Sequence, residues 1–104
     1  MLPAEKPMPD ATPLERRKVR RRLVNYKAKA ALKWDDPTPC IVRNISSLGA
    51  LLEFTAEVAD IPKRFRIAIQ HPLFTAECEL RHHTPTTAGV MFISNRSEAS
   101  RLFG

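Results

Sequence analysis

Arginine is the residue type in this chain that is best suited to binding chemistry, and it is concentrated in one short segment. Residues 15–22 read Glu-Arg-Arg-Lys-Val-Arg-Arg-Arg. A guanidinium group is planar and always charged, and it donates paired hydrogen bonds to phosphate oxygens or to guanine. Two arginines four residues apart on one segment can therefore contact different parts of one ligand. Two pairs have this spacing, Arg16 with Arg20 and Arg17 with Arg21, and the spacing alone leaves both pairs open.

The positive charge of the chain is confined to its N-terminal third. The net charge is +6, and residues 1–33 hold ten Lys or Arg against three acids, whereas residues 34–104 hold seven against eight. Such a block usually meets an anion: a phosphate, a nucleic acid or an acidic membrane surface. The alternative is a solvated tail without a ligand. Because like charges four residues apart oppose a helix, we expect an extended, flexible arm until a ligand neutralises it.

A second candidate cluster is the segment 44–49, Asn-Ile-Ser-Ser-Leu-Gly. Ser46 supplies a short hydroxyl that donates or accepts a hydrogen bond. Gly49 permits a positive φ and would let the backbone come close to a flat base. Asn44 offers one accepting oxygen, where a carboxylate would accept from two donors. Structural roles compete with these, because Gly49 also suits a plain turn and Asn44 a cap of that turn.

The remaining residues supply the strands that must position both segments. Apolar and polar residues alternate, and turn-forming residues separate the runs. A short helix capped by Asn95 is predicted at residues 96–104, and the four prolines of residues 1–14 predict a disordered lead-in. Six short strands predict an all-β fold, an antiparallel barrel or sandwich, and in so small a domain a barrel would also remove exposed sheet edges. The predicted strands begin at Leu23 and continue with Cys40–Ile45, Ala50–Phe54, Phe65–Gln70, Thr75–His83 and Gly89–Ile93.

Three segments of the chain resemble one known family. Arg17-Lys18-Val19-Arg20-Arg21 and the segment 44–49 are similar to the paired RxxxR and [D/N]xSxxG signature of PilZ domains, and Ala88–Phe92 resembles the closing strand of that family. The resemblance covers roughly residues 15–95. It implies a six-stranded antiparallel β-barrel preceded by a flexible arginine arm, with cyclic di-GMP held between the arm and the barrel surface. Many family members have Asp where this chain has Asn44. The ligand-binding residues that the resemblance implies are Arg16, Arg17, Arg20, Arg21, Asn44, Ser46 and Gly49, and the motif match favours Arg17 with Arg21.

The resemblance implies a receptor and adaptor rather than an enzyme. Cyclic di-GMP would order the arm and so create a surface for an unidentified partner protein, with an output in motility, exopolysaccharide production or virulence. A PilZ-like interaction module that no longer binds the dinucleotide is an open alternative, favoured by Asn44 and by the ambiguous arginine pair. A nucleic-acid-binding barrel is less well supported, because Tyr26 and Trp34 are the only aromatic rings besides phenylalanine available for stacking.

The sequence does not point to catalysis, a cofactor or a metal. His82 and His83 are adjacent, so they are expected on opposite faces of a strand. Cys40 and Cys78 lie in apolar runs and are predicted to be thiols of the core. No apolar run approaches the roughly 18 residues that span a bilayer, and the opening residues lack the pattern of a secretory signal. We therefore expect a cytoplasmic protein that is a monomer or a weak dimer.

Overall fold

The computed structural model describes residues 21–33 and 36–104. The strands in these ranges close into a six-stranded antiparallel barrel in the order β1-β2-β3-β6-β5-β4, and a short C-terminal helix follows. The predicted fold is therefore confirmed. The predicted lead-in, and residues 15–20 of the arm with Arg16, Arg17 and Arg20, lie outside the described residues. The elements are β1 (Arg22–Ala30), β2 (Thr38–Ile45), β3 (Gly49–Phe54), β4 (Arg64–Ile69), β5 (Phe74–His83), β6 (Thr87–Phe92) and α1 (Arg96–Phe103).

The core of the barrel follows from the two-residue period of the strands. In β1, Ala28 and Ala30 point inward and are buried, whereas Lys27 and Lys29 point outward and are exposed. Burying one large apolar side chain contributes about 1.5–3 kcal/mol. The large inward side chains from the other strands are Val42, Ile45, Leu52, Phe54, Phe65, Ile67, Ile69, Phe74, Val90 and Phe92.

The two cysteines belong to this core. Cys40 and Cys78 are buried and free, which confirms their interpretation as core thiols. The Cys78 thiol donates to the carbonyl oxygen of Phe65 at 3.3 Å. Burial raises the pKa of each thiol to about 12, so both stay protonated in the folded protein at neutral pH.

Helix α1 packs over an aromatic cluster of the barrel. The ring of Phe103 meets that of Phe74 edge-on, with centroids 5.3 Å apart, and lies 6.3 Å from that of Tyr26. Asn95 precedes the helix with φ 54° and its side chain makes no capping hydrogen bond. Its amide nitrogen donates instead to the carbonyl oxygen of Thr75. The predicted side-chain cap is therefore wrong, because that amide ties the start of α1 to β5.

Register shifts interrupt three strands. In β2, Val42 and Ile45 both point into the core, and the two residues between them, Arg43 and Asn44, both remain outside it. An extra residue of this kind re-aims side chains and is typical of the neighbourhood of binding sites. The shifts lie between Leu23 and Tyr26 in β1, between Val42 and Asn44 in β2, and between Leu80 and His82 in β5.

In the part of the chain that the structure describes, no helix is long and apolar enough to cross a membrane.

Candidate functional site

A row of paired residues crosses five strands on the outside of the barrel. Leu23 of β1 pairs with Asn44 of β2, and Asn44 pairs with Leu51 of β3. Leu51 pairs with Gly89 of β6, and Gly89 pairs with His82 of β5. We call these five residues the outer row. Each of the three register shifts begins or ends at a member of this row, so the shifts determine which side chains it presents.

Arg21 joins the arm to the outer row. It lies immediately before β1, and its Nη1 donates to Oδ1 of Asn44 at 2.7 Å. A hydrogen bond from a charged donor contributes about 1.5–3 kcal/mol when it is shielded from water, and less where it is exposed as here. Of the arginines named from the sequence, Arg21 is the one within the described residues, and it reaches the second motif directly.

A shallow depression of about 410 Å³ lies along the outer row. Two guanidinium groups border it, those of Arg21 and Arg81, and no carboxylate of the described residues lines it. Arg81 is held by Glu79, with 3.3 Å between nitrogen and oxygen, and its side chain stays more than half exposed. The depression is therefore bordered by two guanidinium groups, of which that of Arg81 is paired with a carboxylate, and this border favours an anionic ligand.

The floor of the depression is flat where His82 lies over Gly89. A Cβ on Gly89 would be 2.3 Å from Nε2 and 2.4 Å from Cε1 of His82. Glycine thus allows the imidazole ring to rest against the backbone of β6. Because His82 is exposed, its ring is available for a planar group to stack on, as bases do on aromatic side chains.

A polar cluster next to Asn44 fixes the outer faces of the first three strands. Arg43 donates from Nε to Oε1 of Glu53 in β3 and from Nη1 to Oδ1 of Asn25 in β1, the latter at 2.7 Å. These bonds tie the bulged segment of β2 to its two neighbours. Asn44, the next residue, is thereby held at the edge of the depression.

Ser46 lies in the turn between β2 and β3 and Gly49 is the first residue of β3, and neither of them lines the depression. The Ser46 side chain is buried, and its hydroxyl oxygen accepts from the N–H groups of Leu48 and Gly49 at 3.1 and 3.3 Å. Gly49 has no positive φ, so that expectation is wrong. Its lack of a side chain serves another need, because a Cβ there would lie 2.1 Å from the carbonyl oxygen of Val90 in β6.

The structure thus divides the predicted site residues into two groups. Arg21 and Asn44 meet at the depression, whereas Ser46 and Gly49 shape the turn that leads from β2 into β3. Sequence reasoning missed Arg81 and His82. His82 could have been identified from its pairing with Gly89 of β6. That pairing is known only once the register of β5 and β6 is known.

No family model matches the chain, and no curated protein matches it. Among residues 21–33 and 36–104 there is also no cluster of three or more His, Cys, Asp or Glu side chains that could hold a metal ion.

Proposed function

We propose that the chain is a cytoplasmic receptor of the PilZ type, which binds cyclic di-GMP on the outer row and passes the signal to a partner protein. The observation that carries the proposal is the hydrogen bond from Arg21 to Asn44. It brings the first signature motif against the second at the edge of a cationic depression. A chance similarity in two short motifs would not require them to meet on the barrel.

The electrostatics of the depression support an anionic ligand with phosphates. Arg21 and Arg81 stand on its border, and the arginines of residues 16–20 precede Arg21 directly in the chain. Each guanidinium can donate two hydrogen bonds to a phosphate or to a guanine edge. The ligand phosphates would neutralise the arginine arm and draw residues 15–20 onto the barrel, next to Arg21, which already contacts Asn44.

The floor of the depression supports a ligand with a planar base. The His82 ring on Gly89 offers a stacking surface, and Asn44 offers an amide to the edge of the base. Stacking of one base on an aromatic ring contributes about 1–3 kcal/mol. Phosphate and purine groups are thus served by different residues of one site, and cyclic di-GMP contains two of each.

Signalling in this proposal is a change from an open to a closed arm. Repulsion between like charges keeps the arm open without ligand, and ion pairing with the ligand offsets the entropy lost on closure. The closed arm together with the bound dinucleotide forms a new surface for the partner protein. No chemical step on the ligand is part of the proposal.

Isothermal calorimetry on the full chain tests the receptor function. We expect cyclic di-GMP to bind with micromolar or tighter affinity and the double substitution Arg17→Ala/Arg21→Ala to weaken binding by about a hundredfold, since two charge-assisted hydrogen bonds are lost. Amide NMR should show resonances of residues 15–22 shifting with those of Asn44 and His82.

The matched control removes two exposed cations elsewhere. Lys63→Ala/Arg96→Ala changes the net charge by the same amount and leaves the depression intact, so we expect affinity within about twofold of the unsubstituted chain. Equal weakening in both double variants would indicate a general charge effect. An absence of binding heat at saturating dinucleotide contradicts the receptor function outright.

A second candidate function is an interaction module that does not bind the dinucleotide. The burial of Ser46 favours it, because the hydroxyl accepts two backbone N–H groups and the side chain is not open to a ligand. Asn44 likewise already uses its accepting oxygen on Arg21. The calorimetry separates the two functions, since this module would give no heat and unchanged amide resonances.

A further inference from the structure

We propose that the depression at the outer row recognises the O6 and N7 edge of a guanine and does not require its 2-amino group. The inference rests on the proposed function and names the part of the base that the site distinguishes. It follows from the hydrogen-bonding groups of the polar side chains that line the depression, which are those of Arg21, Asn44, Arg81 and His82. The remaining described lining residues have apolar side chains or none.

The two guanidinium groups at the depression supply donors only. A guanidinium carries several N–H donors in a fixed fork and has no acceptor. Arg21 uses Nη1 on Asn44, and Arg81 uses Nη1 on Glu79, so most donors of both groups remain for a ligand. Glu79 itself is not among the lining residues, so its carboxylate is not offered to the ligand.

The contact with Arg21 also fixes how Asn44 is presented. Because a guanidinium only donates, the amide of Asn44 must turn its oxygen towards Arg21, and its nitrogen then lies on the other branch of the planar amide. That nitrogen carries two N–H donors. The N1–H and 2-amino groups of a guanine are adjacent donors and need adjacent acceptors, whereas Asn44 offers one oxygen that is already bonded and an NH2 group beside it.

The floor of the depression does not supply acceptors for those two groups either. A neutral imidazole has one accepting nitrogen, which points outward in the plane of the ring. A base stacked on the ring of His82 lies parallel to that plane, so the nitrogen does not face the edge of the base. The backbone of Ala50 and Leu51 is paired with β2 on one side and with β6 on the other, so its carbonyl groups are engaged in the sheet.

A site whose side chains donate suits the edge of a purine that only accepts. Guanine has O6 and N7 as neighbouring acceptors, and one arginine can donate to both. Adenine keeps N7 but has a 6-amino donor in place of O6, and that donor would face the guanidinium groups. Hypoxanthine keeps O6 and N7 and lacks only the 2-amino group of guanine. The site should therefore bind guanine and hypoxanthine alike and discriminate against adenine.

Calorimetry on the full chain with three cyclic dinucleotides tests this recognition. The probes are cyclic di-GMP, cyclic di-IMP, whose base is hypoxanthine, and cyclic di-AMP. We expect cyclic di-IMP to bind within about threefold of cyclic di-GMP, and cyclic di-AMP to bind more weakly by about fivefold or more, since that is the least discrimination that one bidentate arginine contact provides. A larger loss with cyclic di-IMP, or a smaller loss with cyclic di-AMP, overturns the proposal.

A single substitution should create the missing preference. In Asn44→Asp one carboxylate oxygen can stay with Arg21 while the other accepts from the 2-amino group, so we expect cyclic di-GMP to bind about fivefold or more tightly than cyclic di-IMP. The matched control is Asn25→Asp, because Asn25 also accepts from an arginine, Arg43 at 2.7 Å, but does not line the depression. The control should bind both dinucleotides alike, and thermal melts check that both variants fold. A preference in both variants, or in neither, overturns the proposal.

Failure of this inference and failure of the proposed function give different results. A chain that gives no heat with any of the three dinucleotides contradicts the receptor function, and the recognition of a base edge is contradicted with it. A chain that binds cyclic di-GMP but loses more than about threefold in affinity with cyclic di-IMP keeps the receptor function. In that case only the proposed indifference to the 2-amino group is contradicted.

Discussion

At the scale of single residues, two glycine positions leave no room for a side chain, for different physical reasons. A Cβ at Gly49 would meet the carbonyl oxygen of Val90 at 2.1 Å. That oxygen belongs to the backbone of β6, which is paired with β3 in this region, so relief requires moving a strand. A Cβ at Gly89 would meet the ring of His82, which is exposed and can rotate away. The first glycine therefore serves the fold and the second serves the surface of the site.

Alanine substitutions should separate these two roles. We expect Gly49→Ala to lower the free energy of unfolding by about 2–3 kcal/mol, as for an overpacked core, and Gly89→Ala to lower it by less than about 1 kcal/mol. Gly89→Ala should instead weaken cyclic di-GMP binding by about fivefold or more, because it displaces the His82 stacking surface. Urea denaturation and calorimetry on both variants measure these effects. Similar losses of stability in the two variants would contradict the distinction.

The residues of the site were predictable to different degrees. Asn44 and Arg21 belong to motifs whose residue types indicate hydrogen bonding to a ligand. The structure brings the two residues together. Ser46 has the same apparent chemistry, but its side chain is buried and accepts backbone hydrogen bonds. Residue type alone does not tell a hydroxyl that closes a turn from one that faces a ligand, because both roles use the same lone pairs.

At the scale of elements, alternation of apolar and polar residues predicted all six strands, because a half-buried strand has a period of two residues. The end of β1 does not follow from that period. β1 ends at Ala30 although Leu32 is also buried. The N–H of Ala31 donates to the carbonyl oxygen of Arg66 at 2.8 Å, and the chain leaves the sheet there while keeping Leu32 against the core.

The register shifts could not be predicted in the same way. One extra residue in β5 between Leu80 and His82 decides how Arg81 and His82 are presented to the depression. A two-residue period assigns neighbouring residues to opposite faces of a strand. A bulge brings two neighbouring side chains to the same face, so the period alone assigns one of them to the wrong face. That explains why Arg81 and His82 were missed although the strand itself was found.

Helix α1 offers a test of how the C-terminal element contributes to stability. Phe103 is buried against Phe74 and Tyr26. We expect Phe103→Ala to lower the free energy of unfolding by about 3–5 kcal/mol through the lost burial and the cavity. The control Arg101→Ala removes an exposed ion pair with Glu98 on the same helix and should cost less than about 1 kcal/mol. Thermal melts followed by circular dichroism distinguish them, and equal melting temperatures would show that α1 does not stabilise the barrel.

At the scale of the whole molecule, closure of the sheet leaves the depression on a continuous barrel surface. The depression is lined by residues of β2, β3, β5 and β6 and by Arg21, which lies immediately before β1. The barrel is closed by pairing of β1 with β4, so the depression does not depend on a free sheet edge.

The buried thiols report on unfolding of the whole barrel. Cys40 lies in β2 and Cys78 in β5, both inside the core, so a reagent reaches them only when strands separate. Burial raises the pKa of both from the ordinary 9.0 to about 12. Because the thiolate is the nucleophile, iodoacetamide at neutral pH should react with the folded protein at a rate limited by its unfolding, and rapidly in urea. Mass spectrometry that shows fast modification of the folded chain would contradict this burial.

The same pKa values predict how stability changes with pH. The folded state holds both protons up to about pH 12, whereas the unfolded chain releases them near pH 9. The unfolded state therefore binds fewer protons above pH 9, and the contribution of the thiols to stability, complete below that pH, is lost as pH rises towards 12. Urea denaturation at a series of pH values should show this decline, and Cys40→Ala/Cys78→Ala should reduce its slope, because the double variant lacks both titrating thiols. An unchanged slope in the double variant would mean that other groups cause the alkaline loss of stability.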